Sequence, residues 1–368
     1  MVEFITMAPT SGDGEYIGVV EEEQQADGWT GVSIEAGRKA TPEYIKAVAK
    51  AAEEGGFSTL LLPVGANCLD ALVVAGQLLA ETESLHILFA VRPGSVSPTL
   101  FAKQFATLDQ WSNGRVHFNI VTGGNPQELE GEGDSLDHAS RYRRTEEFIQ
   151  IINQLFSGDK FDYSGEFYQL KDAQLLILPT TTPKVFFGGS SLTGKQVAAQ
   201  LADVYMLWGE TLENTKQQLD EIKTLVQQAN RTVEYSISFQ VVLGETEQQA
   251  WENAEKLISK ADEQAAQQKE TLQQNGEAVG VSRLHELMTN SKDSHYKIGP
   301  NLWAGLTKYL SGNSIALVGT PDQVAERLIE FIQLGFDKVL LRGFPHLETA
   351  EQVGALVIPR VNALLAKL

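Results

Sequence analysis

The stretch K-V-F-F-G-G-S-S-L-T-G-K-Q-V-A-A-Q-L-A, residues 184–202, changes its period in the middle. A short apolar run, Val185 to Phe187, stops at Gly188-Gly189, and apolar residues then recur at helical spacing through Val197, Ala198 and Leu201. The pattern predicts a buried strand, a tight turn and a helix. Two glycines let backbone approach a ligand, and Ser190 and Ser191 place hydroxyls beside the unpaired N–H groups of the new helix. Helix starts of this kind bind anions, phosphate above all. An ordinary turn with a serine N-cap reads the same way, and the motif alone does not separate the two.

The alternation seen there runs through the chain. Strand-like runs fall at Glu3 to Ala8, Thr59 to Pro63, His86 to Arg92, Val116 to Val121, Val185 to Phe187, Val204 to Trp208, Tyr235 to Leu243 and Lys338 to Arg342. Helical patterns lie between them, near 42–54, 69–80, 97–110 and 141–156. Strands alternating with helices pair in parallel, and eight such units predict an α/β fold, the closed (β/α)8 TIM barrel. One domain over 1–368 is expected, with insertions at about 123–182 and 259–300 over the C-terminal face, where barrel active sites lie. The second insertion is rich in Gln, Glu, Lys and Ala, with Ala265, Ala266, Gln267, Gln268, Gln273 and Gln274 near its centre, and reads as a lid. Gly12, Gly14 and Gly18 do not make a nucleotide fingerprint and read as a mobile loop.

Charge and composition exclude several classes. A net charge of −19 repels nucleic acid and anionic membrane alike, so an anionic ligand needs a locally positive site. No apolar run approaches a membrane span, and the N-terminus does not read as a signal peptide, so a cytoplasmic protein is expected. One cysteine, Cys68, excludes an internal disulfide and a cysteine metal cluster. The histidines at 86, 117, 138, 285, 295 and 346 show no ligand spacing, so no metal is expected. The strand ends carry small, polar or aromatic groups. Glu210 alone stands as a glycosidase carboxylate, and Gly188-Gly189-Ser190 is not a nucleophile elbow. Cofactor chemistry survives best, because the protein then has only to bind, orient and exclude water.

At these positions the chain resembles the bacterial luciferase-like flavin monooxygenases, and within them the reduced-flavin-dependent alkanesulfonate monooxygenases. The matching stretches include S-G-D-G-E-Y-I-G from Ser11, L-P-V-G-A-N-C-L-D-A from Leu62, F-N-I-V-T-G from Phe118 and L-D-H-A-S-R-Y from Leu136. F-G-G-S-S from Phe187, W-G-E from Trp208, P-N-L-W-A-G from Pro300 and G-F-P-H-L-E from Gly343 follow in the same order. The resemblance implies FMN, used as FMNH2, with its phosphate against Gly189, Ser190 and Ser191, helped by Tyr142. Asn119, Thr122 and His138 would line the flavin side. Cys68, Trp208 and His346 match active-site positions. It also implies O2 as co-substrate, a separate NAD(P)H:flavin reductase and a homodimer or homotetramer. Other roles stay open: His138 also fits a helix cap, Asn119 a core amide, and Cys68 and Trp208 ordinary packing.

The departures bear on substrate. An R-x-H on strand seven of the sulfonate enzymes is Ser238-Phe239-Gln240 here, a loop arginine aligns with Leu310, and a tyrosine before P-H-L is Phe344. Charge-assisted hydrogen bonds each contribute on the order of 1.5 to 3 kcal/mol, so their loss weakens a sulfonate site. Gln240 and Phe344 are then expected to face substrate, with Lys292, Arg342 and Arg92 as alternative sources of charge. The expectation is an FMNH2-dependent monooxygenase acting on a small organosulfur compound, alkanesulfonate-type or a neutral relative. The alternatives are the same chemistry on a sulfone, thioether or nitrogen heterocycle, or a flavin-binding protein without oxygenase activity.

Overall fold

The computed structural model describes residues 2–19, 37–262, 266–267 and 278–368. The centre of the second insertion, including 265, 268, 273 and 274, lies outside the described residues. Eight parallel strands form the barrel: β1 Glu3–Met7, β2 Thr59–Leu62, β3 His86–Val91, β4 Val116–Ile120, β5 Val185–Gly188, β6 Val204–Trp208, β7 Glu234–Leu243 and β8 Lys338–Arg342. Each pairs with the next, and β8 closes the ring on β1. The helices are α1 Pro42–Glu54, α2 Ala71–Glu81, α3 Pro98–Ser112, α4 Pro126–Gly131, α5 His138–Ser157, α6 Leu192–Leu201, α7 Leu212–Gln228 and α8 Glu247–Leu257. They continue with α9 Val279–Asn290, α10 Pro321–Ile332, α11 His346–Gln352 and α12 Ile358–Leu365. Among the described residues no helix is long and apolar enough to cross a membrane.

Alternation along each strand sorts side chains between two cores. Ile5, Met7, Leu61, Leu88, Phe186, Val204 and Leu340 fill the barrel. Residues of the opposite alternation, among them Leu60, Phe89, Phe118, Phe187 and Phe239, face the helices. Strands buried on both faces read as continuous apolar runs, which is why all eight are visible in the sequence.

The insertions divide their tasks. After β4 the chain forms α4 and α5, then a hairpin, Phe161–Ser164 with Gln169–Ala173. Phe161, Tyr163, Tyr168 and Leu170 of that hairpin pack on Ala102, Ala106, Ile151 and Leu155, on the outer flank of α3 and α5. Only the first part of this insertion is therefore at the mouth. The Gly-rich start is not the loose loop expected. Ser11 to Gly14 is buried, Gly12 and Gly18 take positive φ angles of 100° and 78°, and a Cβ on Gly12 would stand 2.9 Å from the Arg38 carbonyl. Further along, Ala316–Gly319 pairs with β7 where β6 ends, so that Gly209 N–H reaches Ser238 O and Gln240 N–H reaches Ile315 O on one strand edge.

The N-terminal end of the barrel is plugged by charge. Lys338, buried, lies 2.6 Å from Glu3 and 3.1 Å from Glu234, which also receives Lys184 at 2.8 Å. His86 and His117 lie beside them with ring centroids 5.4 Å apart. Burial lowers the His117 pKa to about 4, with His86, Lys184 and Lys338 adding repulsion, and burial lowers His86 in the same direction. His117 Nδ1 accepts the Lys184 N–H at 3.4 Å, which a protonated nitrogen cannot do. The unfolded imidazole takes its proton near 6.5 and the folded one only near 4. Stability is thus complete above pH 6.5 and falls as pH drops towards 4, by on the order of 3 kcal/mol for His117. Urea denaturation at a series of pH values should show that slope, and His117→Asn should flatten it.

Candidate active site

The turn after β5 is held from two sides. Ser191 caps α6 by accepting the Gly194 N–H at 3.1 Å, and Tyr205 donates to the Gly189 carbonyl at 2.5 Å. Tyr142, on α5, comes close enough that a Cβ on Gly189 or Gly194 would lie 3.3 or 2.8 Å from its hydroxyl. Gly194 serves this close approach rather than an unusual φ, and Gly189 leaves only a tight fit. The expected phosphate group of Gly189, Ser190, Ser191 and Tyr142 is therefore assembled in one place. His138 joins it with its ring 4.9 Å from that of Tyr142. It does not cap α5, because Asp137 does so by accepting the Ser140 N–H at 2.7 Å.

Sequence reading missed a cation here. Arg283, on α9, donates from Nε to Glu210 Oε1 at 2.5 Å and from Nη2 to Gln218 Oε1 at 2.5 Å, and Nη2 also lies 3.3 Å from Ser190 Oγ. Glu210, wholly buried, accepts further from Gln218 and Asn214 at 2.9 and 3.2 Å. So Glu210 is a structural counter-charge engaged on every side. The first turn of α9 also covers Trp208, since a Cβ on Gly280 would meet the indole and Ser190 Oγ at 2.9 Å each; the loop at Gly312 covers it too, a Cβ there meeting the indole at 2.5 Å.

Around the mouth, Asn119 is half-buried at the end of β4 and its Oδ1 has no partner among the described residues. Thr122 and Cys68 are half-buried in the loops after β4 and β2. Ala66 N–H donates to Glu128 Oε1 at 2.9 Å, which ties those two loops together. Arg92 does not supply charge to a ligand, being paired with Glu128 and Glu132. On the far side, Gln240 donates to the Asn313 carbonyl at 2.8 Å, which fixes Oε1 as a buried acceptor without a partner among the described residues. Arg342, also buried, lies across the pairing from Gln240, near Met7 Sδ at 3.4 Å and 5.7 Å from the Phe344 ring centroid. Phe344 stands edge-on to His346.

His346 has a partner that sequence reading passed over. Asp13 Oδ1 lies 3.1 Å from His346 Nδ1, and Oδ2 accepts the His346 N–H and the Tyr44 hydroxyl at 2.5 Å each. Lys292 is not brought to the site. It is exposed beyond the C-terminal end of α9, roughly 18 Å along the helix from the turn that touches Trp208. Among the described residues no group of three or more His, Cys, Asp or Glu is placed to hold a metal.

The C-terminal mouth of an eight-stranded α/β barrel here gathers a glycine turn, two hydroxyls, a phenol and a guanidinium, a set of donors that suits an anion. The luciferase-like monooxygenase model matches residues 20–338, and the chain belongs to that family. It is thus an enzyme of the flavin-dependent monooxygenase class. Solved structures agree in fold. The EDTA monooxygenase EmoA of Chelativorans sp. BNC1 is 18% identical with TM-score 0.75, over 99% of this chain and 94% of its own. DmoA from Hyphomicrobium sulfonivorans is 17% identical with TM-score 0.77, over 99% and 88%. The oxygenating constituent of 3,6-diketocamphane monooxygenase from Pseudomonas putida, solved with FMN, is 15% identical with TM-score 0.64, over 88% and 95%.

Proposed function

We propose that the protein is the oxygenase of a two-component system, a homo-oligomer that takes FMNH2 from a separate NAD(P)H-dependent flavin reductase and uses O2 to oxidise a small organosulfur compound. The observation that carries this reading is the convergence of Ser190, Ser191, the Tyr142 hydroxyl and the Gly188-Gly189 turn at the start of α6, beside an Asn119 oxygen with no partner among the described residues. Hydroxyls and backbone N–H groups suit a phosphate, and an unmet acceptor suits the N–H edge of a flavin ring. FMN, when bound, would supply the electrons and the oxygen chemistry. The chain's task is to hold it, to cover it with α9 and Trp208, and to exclude water.

The substrate side favours a neutral relative over a sulfonate. Ser238, Gln240, Leu310 and Phe344 are all buried and uncharged, and Ser238 Oγ is spent on the Leu207 carbonyl at 3.2 Å. Cys68, Trp208 and His346 are assigned to the reacting side. Anaerobic titration with oxidised and reduced FMN, followed by mixing with oxygen, tests the proposal. Tighter binding of FMNH2 and product formation with an organosulfur substrate are expected. Weak binding of both flavin forms would sink the reading, and binding with only hydrogen peroxide released would leave a flavin carrier.

A further inference from the structure

We propose that Arg283 is the cation of the phosphate subsite, and that a phosphate monoester bridging Arg283 and Ser190 docks α9 over Trp208. The flavin reading above supplies the identity of the phosphate. The anion site itself stands on the side chains.

Arg283 is held in place by a buried carboxylate and presented by it. Its Nε and one Nη2 hydrogen go to Glu210 and Gln218, the other Nη2 hydrogen points at Ser190 Oγ 3.3 Å away, and no partner for Nη1 occurs among the described residues. A guanidinium carries five N–H donors in a planar fork. Glu210 and Gln218 use one side of that fork. The side next to Ser190 carries the Nη2 N–H that reaches Ser190 Oγ and an Nη1 N–H beside it, and the Arg283 side chain is 24% exposed while Glu210 is fully buried. Solvent and ligand therefore reach the donor and not its counter-charge. Lys195, on α6, is committed to Glu221 at 2.5 Å. In a chain of net charge −19, an anion at the α6 start needs such a cation, and hydroxyls alone leave the field unfavourable.

Coupling to Trp208 follows from helix spacing. Gly280 and Arg283 are three residues apart and share a face of α9. Gly280 lies against both Ser190 and the indole, with no room for a Cβ. An anion that bridges Ser190 and Arg283 therefore fixes the same turn that covers Trp208.

The test is hydrogen–deuterium exchange over residues 279–290 in the full chain, with inorganic phosphate, FMN or riboflavin added, together with FMN and riboflavin affinities. Phosphate and FMN should slow exchange in α9 and riboflavin should not. Arg283→Gln should lower the preference for FMN over riboflavin by at least about 10-fold. Because that change strands Glu210, the double variant Glu210→Gln, Arg283→Gln is measured as well, its folding checked by denaturation. A double variant that keeps the wild-type preference overturns the proposal, as does FMN binding without protection of α9. Protection by phosphate in a protein that binds neither flavin would uphold the anion site and discard the flavin reading.

Discussion

Replacing Asp13 by alanine is expected to cost about 3 to 5 kcal/mol of folding stability, read as a lower urea midpoint at pH 7. The side chain is wholly buried, 333 residues from the turn it holds. Its carboxylate accepts the Gly14 N–H at 2.8 Å and the Tyr44 hydroxyl and His346 N–H at 2.5 Å, with His346 Nδ1 at 3.1 Å. Alanine removes one acceptor and leaves these donors buried together. Burial by itself pushes the Asp13 carboxyl up, but the His346 charge and the hydrogen bonds from His346 and Tyr44 outweigh it and hold the group below its ordinary 3.8. The sign follows: the contribution is present above 3.8 and fades as pH falls through the lower folded value. The gap between wild type and variant should be widest near neutrality and close in acid. Asp13→Asn keeps the shape and one acceptor oxygen, so its loss should be smaller. A midpoint for Asp13→Ala that matches wild type would mean the cluster does not tie the N-terminal segment to the β8–α11 turn.

Asp13 also shows where sequence reading ends. Its stretch, Ser11 to Gly18, reads as a loop, because a glycine-rich run carries no sign of a partner three hundred residues away. The barrel strands were legible for the opposite reason: burial on both faces is written locally as Val185 to Phe187 or Val204 to Trp208. The hairpin 161–173 buries one face against α3 and α5, and its mixed pattern of Phe, Asp, Tyr and Ser hides it. Ala316–Gly319 and the two-residue strand Leu302–Trp303 are too short for periodicity to register. At the site, Gly189, Ser190 and Ser191 were readable because turn and helix cap are neighbours in sequence. Arg283 was not. It sits in V-S-R-L, an ordinary amphipathic phrase, and its partners Glu210 and Ser190 are 73 and 93 residues away. Lys292, the cation expected from that segment, lies nine positions on, where the helix carries it away from the mouth.

Ser190→Asp should lower FMN affinity by at least about 100-fold while leaving riboflavin affinity and stability near wild type. Ser190 Oγ lies 3.3 Å from Arg283 Nη2, so a carboxylate grown at that position meets the guanidinium that the phosphate would otherwise engage. Two effects then act in one direction. The open edge of a guanidinium already paired with Glu210 is taken up from within the chain, and a second carboxylate is fixed where the phosphate would come, so repulsion replaces a charge-assisted hydrogen bond. The fold gains a partner for the exposed edge of Arg283 and loses only a hydroxyl, which argues against destabilisation. Riboflavin has no phosphate and feels neither effect, so the ratio of the two affinities isolates the site from general damage to the mouth. Ser190→Ala supplies the scale, since it removes one hydrogen bond and adds no charge, and its effect should be smaller by an order of magnitude or so. Titrating FMN and riboflavin into all three proteins decides the matter. Equal FMN affinity in Ser190→Asp and wild type would place the phosphate elsewhere and remove the main support for reading the α6 turn as its binding site.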